Sequence, residues 1–189
     1  MIPSQSVTEG EKPLAEVIVE GELSPFEHEA LYRILRKSFR LEHPSYTELA
    51  DETIGTRVNL VFYHPYAPGV FTNVLQENWR DLKELFKQVR YRRGRIGAAF
   101  TFTFVDPEIR LIFNSGVLEE RQLSSALDQM GHLTGIIRQM LRPETMEQPL
   151  RKVEASFDAR SDRWHNFHGS SSNEDRYVFD ESLFRWVRS

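Results

Sequence analysis

Five cations, Lys87, Arg90, Arg92, Arg93 and Arg95, fall in a short run of the chain that contains no acid. Arginine presents forked donors that match phosphate and carboxylate oxygens, so this run could hold an anion or a nucleic-acid backbone. Two structural roles compete with that one. A helix C-terminus attracts cations to its exposed carbonyl groups, which accounts for part of the run. An acidic region of the same chain would also satisfy it. Residues 1–30 supply one, with Glu9, Glu11, Glu16, Glu20, Glu22, Glu27 and Glu29 against the single Lys12.

Other residue types offer less. His165 and His168, three residues apart with Asp162 nearby, are possible metal donors. A zinc site needs a fourth ligand and supporting hydrogen bonds, so no metal is expected here. The sequence has no cysteine, which removes thiol nucleophiles and Cys-based metal sites. It has no nucleophile elbow, no phosphate-cradling glycine loop and no helical metalloprotease motif. Catalytic residues and cofactors are therefore not expected. A small-molecule pocket or enzyme site remains an alternative at His64-Pro65-Tyr66-Ala67-Pro68-Gly69, because a loop that leads into a helix can present unpaired N–H groups to a ligand. The same two prolines would equally make a rigid connector.

The last candidate is at the C-terminal end. Residues 177–189 are amphipathic, with Phe179, Phe184 and Trp186 as docking groups for the chain itself, for a second copy or for a protein partner.

These groups must be held by elements that the hydrophobic pattern locates. Ala15 to Glu20 reads as a strand. Ser24-Pro25-Phe26-Glu27 is a capping box with proline at the first helical position, so a helix starts there and presents Leu31, Ile34 and Leu35 on one face. A short helix is expected near 46–52, and a central strand at Thr56 to Tyr63. Phe71, Leu75, Trp79, Leu82, Phe86 and Val89 mark a helix over about 71–91. Strict alternation from Ala98 to Val105, with Phe100, Phe102 and Phe104 on one face and Thr101 and Thr103 on the other, is a strand. It returns as a hairpin through Asp106-Pro107-Glu108. A helix over about 119–141 and a strand over 150–158 follow. Arg163 to His168 reads as a short edge strand, and Ser170 to Asp175 as a flexible linker.

With 189 residues, 40% of them apolar, and a net charge of −4, the chain has the make-up of a globular protein. No apolar window is long enough to span a bilayer and Met1 to Lys12 has no secretory pattern, so a cytoplasmic location with no membrane contact is expected.

Together these readings give an α+β domain over 14–158, built as an antiparallel sheet with helices mainly on one face. The β-α-β-β-α-β order over 57–158 suggests a split β-α-β, ferredoxin-like core, with an extra N-terminal β-α unit and a C-terminal appendage. A flexible tail at 1–13, a polar loop or linker at 159–176 and the docking segment at 177–189 complete the chain. In such sheets, single-strand binders place base-stacking aromatics on the third strand; Gly97 and Ala99 occupy those positions here. The function expected is that of a non-enzymatic interaction or assembly protein, self-associating or bound to a protein partner. Nucleic-acid or phosphate binding through the Arg cluster is the alternative.

Overall fold

The computed structural model describes residues 11–42, 45–48 and 55–189. Residues 1–10 of the expected tail at 1–13, and residues 49–52 of the expected short helix, lie outside the described residues. What is described of that second segment is a strand and not a helix.

The capping box forms as its residues require. The Ser24 hydroxyl accepts the Glu27 N–H at 3.1 Å, and Glu27 Oε2 accepts the Ser24 N–H at 2.9 Å. It starts helix α1, Pro25–Arg36, which follows strand β1, Leu14–Gly21. Strands β2, Arg40–Leu41, and β3, Ser45–Thr47, both pair in parallel with β1. Strand β4, Thr56–Phe62, leads into a π-helical segment, Val70–Leu75, and then helix α2, Glu77–Arg92. The single helix expected over 71–91 is thus broken at Gln76, which has φ of +50°. Strands β5, Ala98–Val105, and β6, Arg110–Val117, form the expected hairpin. Helices α3, Glu120–His132, and α4, Thr134–Met140, replace the one expected over 119–141. Strands β7, Leu150–Asp158, β8, Arg163–Ser171, β9, Arg176–Asp180, and β10, Arg185–Arg188, end the chain.

The class is α+β, with a ten-stranded mixed sheet. The split ferredoxin-like core is corrected by the strand order, β10-β9-β8-β7-β6-β5-β4-β1-β2, with β3 also on β1. In a split unit a third strand separates the two parallel strands joined by a helix. Here β4 and β5 are parallel neighbours, and so are β6 and β7. Each strand lies beside its successor because its own helix closes the step directly. The expectation of an all-antiparallel sheet is corrected by the same pairs.

One face of this sheet carries the core. Phe86 of α2 packs on Phe100 and Phe102 of β5, with centroids 4.7 and 5.7 Å apart. Phe113 of β6 is the cross-strand partner of Phe102 and meets Trp164 of β8 edge-on at 5.3 Å. The Trp164 indole N–H donates to the Ala126 carbonyl of α3 at 2.9 Å. Helices α2 and α3 therefore share a face. The steps β4-α2-β5 and β6-α3-α4-β7 advance in the same direction across the sheet, yet β4 and β6 run oppositely. Their crossovers must then have opposite hands. Parallel crossovers are right-handed in about 98% of cases, so one of the two departs from that rule. The β5–β6 hairpin reverses the strand direction, while the single row of apolar side chains obliges every helix to return to the same side.

The C-terminal third is more regular than its composition suggests. Segment 159–176, read as loop or linker, contains all of β8, which pairs with both β7 and β9 and is not an edge. Segment 177–189 supplies the β9–β10 hairpin. Trp186 is fully buried, and its indole N–H donates to the Met140 carbonyl at 2.8 Å. Among the described residues no helix is long and apolar enough to cross a membrane.

Candidate functional site

The basic run is largely consumed by the fold. Arg93 places Nη1 and Nη2 on the two Glu27 carboxylate oxygens at 3.0 and 2.7 Å. Its Nε donates to Thr56 Oγ1 at 2.8 Å and Nη2 also to the Glu22 carbonyl at 2.9 Å. Arg90 donates to the carbonyls of Leu118 and Gly94, capping loops at the end of α2. Lys87 pairs with Glu84 on its own helix. Arg92 lies 3.6 Å from Glu27 and stacks over Phe26 at 5.5 Å, with nearly half its side chain exposed. Arg95 is exposed. Glu27 is buried, which by itself would raise its pKa. The Arg93 hydrogen bonds, the Ser24 N–H and the charges of Arg93 and Arg92 outweigh that, and the net shift is downward.

The acidic region is spent in the same way. Glu11 pairs with Arg40 at 2.7 Å, Glu20 with Arg57 at 3.2 Å, and Glu16 accepts the Tyr63 hydroxyl at 2.9 Å. Only Glu27 reaches the 87–95 run through a side-chain bond among these contacts. The two charge blocks meet at the buried Glu27 carboxylate, which takes Arg93 and Arg92, while Glu11, Glu16 and Glu20 have other partners.

The His64–Gly69 loop turns inward. Tyr66 is buried between Phe104 and Phe113, at 4.9 and 4.8 Å, and donates to the Met130 carbonyl. Burial raises its pKa strongly. The two main clefts, described below, are lined by other residues.

The possible metal donors are separated by their partners. His165 Nδ1 lies 2.7 Å from Glu181 Oε1, while the Asp162 carboxylate accepts the Ser125 hydroxyl at 2.9 Å. His168 faces the helix-free side of the sheet opposite Glu154. A bulge at Asn166, with φ of +51°, inserts one residue into β8 and puts both histidines on that side. No metal-holding group of three or more donors occurs among the described residues.

That helix-free side carries a broad cleft of about 750 Å³ lined by Lys152, Glu154, His168, Ser170, Arg176 and Val178. Two of its charged lining residues, Lys152 and Glu154, pair at 2.7 Å.

A second cleft, of about 480 Å³, has a different character. It opens on the helix-bearing side, where the helical layer runs out before the sheet does. Leu133, Ile136 and Met140 of α3–α4 form one wall, and Phe167, Phe179 and Phe184 the other. Ile136 is 48% exposed, Phe184 42%, and Leu183, beside it in the β9–β10 turn, 62%. Phe179 and Trp186 are buried in the hairpin, so of the three expected docking groups only Phe184 faces outward. Phe184 meets Phe179 edge-on at 5.1 Å and has φ of +48°, a left-handed conformation that costs a bulky residue on the order of 1 kcal/mol. At the rim, Glu181 takes Arg163 at 3.0 Å as well as His165. Partial burial would raise the Glu181 pKa, but these two bonds and the accompanying charges lower it.

Sequence periodicity marks Leu133 as a core position of a continuous helix and does not single out Ile136. The helix break at Leu133 turns Ile136 outward, and only the position of the sheet edge reveals the gap beneath it. Comparison with family models, curated proteins and solved structures gives no match for this chain.

Proposed function

We propose that this chain is a non-enzymatic interaction protein that binds a protein partner through the cleft between α4 and the β9–β10 turn. The observation that carries the reading is the exposure of Ile136 and Phe184 in the walls of an aromatic-lined cleft, with exposed Leu183 next to Phe184 in the chain. Isolated apolar residues on a surface are ordinary, whereas a contiguous apolar patch with a polar rim marks a contact surface. The backbone of Phe184 supports the same reading, since a strained residue persists where the position of its side chain matters. At the rim, Glu181 is engaged with Arg163 and His165, as a polar border to an apolar contact would be.

The test is capture from lysate with wild-type bait against Leu183→Glu and Ile136→Asp baits. Both residues are exposed, so folding is retained. At least one protein, which includes the chain itself, is expected on the wild type and absent from both variants. Identical capture by all three baits overturns the reading.

A further inference from the structure

We infer that the helix-free face of the sheet binds a small phosphate ester, with the phosphoryl group held above Ser170 between Lys152 and Arg176. The site lies on the opposite side of the sheet from the cleft at Ile136 and does not depend on the docking role proposed above.

Strand register builds it. Arg110 of β6 is the cross-strand partner of Lys152 of β7, Lys152 is that of Ser170 of β8, and Ser170 is that of Arg176 of β9. Paired residues share a face, so these four side chains stand in one row across four neighbouring strands. At a strand spacing of about 4.8 Å, Lys152 and Arg176 are rooted about 10 Å apart with Ser170 midway. Long side chains at that separation can both close on one tetrahedral group above the serine hydroxyl. The guanidinium offers two parallel donors and the ammonium a point charge. Lys152, Ser170 and Arg176 all line the cleft of about 750 Å³, a size that suits a small ligand.

Charge narrows the class. Among the described residues Arg110 and Arg176 form no ion pair, and Lys152 has only Glu154, two residues along its own strand. The other acid of the cleft, Glu174, belongs to the β8–β9 turn, beyond the end of the row. The row therefore carries more positive charge than its own acids take up. A phosphoryl group brings up to two negative charges and three acceptor oxygens, and so answers three donors better than a carboxylate does.

The adjacent row separates a small ligand from a polynucleotide. It consists of Ile112, Glu154, His168 and Val178, with no Phe, Tyr or Trp ring. Single-stranded nucleic acid relies on such rings to stack its bases. What this part of the face offers is a phosphate seat without a base platform.

Isothermal titration calorimetry on the full chain tests the site with three probes: glycerol 1-phosphate, inorganic phosphate and acetate. One equivalent of glycerol 1-phosphate should bind at least as tightly as phosphate, since the cleft has room for the glycerol, and acetate at least about tenfold more weakly. Lys152→Gln and Arg176→Gln should each weaken the ester at least about tenfold, as loss of a hydrogen bond to a charged group does. Glu154→Gln removes the acid that competes for Lys152 and should tighten binding, a gain that misfolding would not produce. Arg92→Gln combined with Arg95→Gln should change nothing. The inference is overturned if neither phosphate binds, if acetate binds as well as they do, or if Lys152→Gln and Arg176→Gln leave binding intact. Weaker binding in Glu154→Gln also overturns it, and so does a loss in the Arg92, Arg95 variant, which would move the anion to the end of α2. Phosphate bound in preference to glycerol 1-phosphate would overturn the ester as the ligand.

Discussion

Arg93 holds Glu27 through both guanidinium nitrogens, at 3.0 and 2.7 Å, and thereby ties the end of α2 to the first turn of α1. The carboxylate is 1% exposed and also closes the capping box of α1, so one side chain serves a helix start and a long-range ion pair. Removing one partner of a buried pair is costly because the other charge is left uncompensated in a poorly solvated site. Glu27→Gln keeps the shape and the acceptor oxygen and removes only the charge. It should lower stability by about 2–3 kcal/mol, read from urea unfolding midpoints. A change of a few tenths would mean that solvent at Arg93, whose side chain is 17% exposed, already screens the pair.

The same pair sets a pH dependence. The folded-state pKa of Glu27 lies below its ordinary value, here 4.5. Its contribution is therefore complete above that value and is lost as pH falls through the lower, folded-state pKa. The stability difference between wild type and Glu27→Gln should be constant from about pH 7 to about pH 5 and shrink steadily below that. A difference that stays constant down to strong acid would show that the pair is not what separates the two proteins.

How much of this is legible in the sequence depends on the range of the forces involved. The capping box of Ser24 and Glu27 and the alternation of Phe100, Phe102 and Phe104 are local, and both form as the sequence predicts. Strand order is not local. Nothing in β4 or β7 says which neighbour it will take, and the opposite hands of the two crossovers follow from the requirement that all helices cover one apolar face. The stretch from Ala159 to Arg176 reads as a linker because its polar residues obscure the alternation. The bulge at Asn166 shifts the period by one residue, so Trp164 and Phe167 both point inward. The opposing charge blocks are visible in the sequence, but where they meet, at Glu27 with Arg93 and Arg92, requires the tertiary structure. The cleft at Ile136 is not legible, because it exists only where the helical layer ends.

Gly169 shows how tightly the C-terminal sheet is seated. A Cβ at this position would lie 2.7 Å from Leu150 Cδ1 and 3.2 Å from Trp186 Cζ3. Gly169→Ala should cost about 1–3 kcal/mol, as overpacking of a core does. The strain comes from Leu150, so combining it with Leu150→Ala should recover part of the loss. A double-mutant cycle with no coupling between the two sites would contradict the packing described.

Trp186 and Leu183 separate the two roles of the C-terminal segment. Trp186 is buried and hydrogen-bonded to Met140, so Trp186→Ala should cost about 3–5 kcal/mol in unfolding measurements. Leu183 is exposed, and Leu183→Glu should stay within about 0.5 kcal/mol for the isolated subunit, measured at concentrations too low for association. Equal losses at both positions would mean that the turn is as much a part of the core as the strand.

The alternative of nucleic-acid binding through the Arg run can be bounded by its geometry. Arg93, Arg90 and Lys87 already hold Glu27, two carbonyls and Glu84, which leaves Arg92 and Arg95 to meet phosphates. Arg92 would have to leave Phe26 to do so. Each neutralised phosphate of a single strand contributes about −0.7 to the slope of log K against log salt, so these two give a slope no steeper than about −1.4. Binding of single-stranded RNA or DNA at low salt should accordingly be weak, insensitive to sequence and abolished by Arg92→Ala with Arg95→Ala. A steeper slope would require cations from elsewhere on the surface, with Lys152 and Arg176 on the open sheet face the first to replace. Retained binding in the double variant would remove the Arg run from consideration altogether.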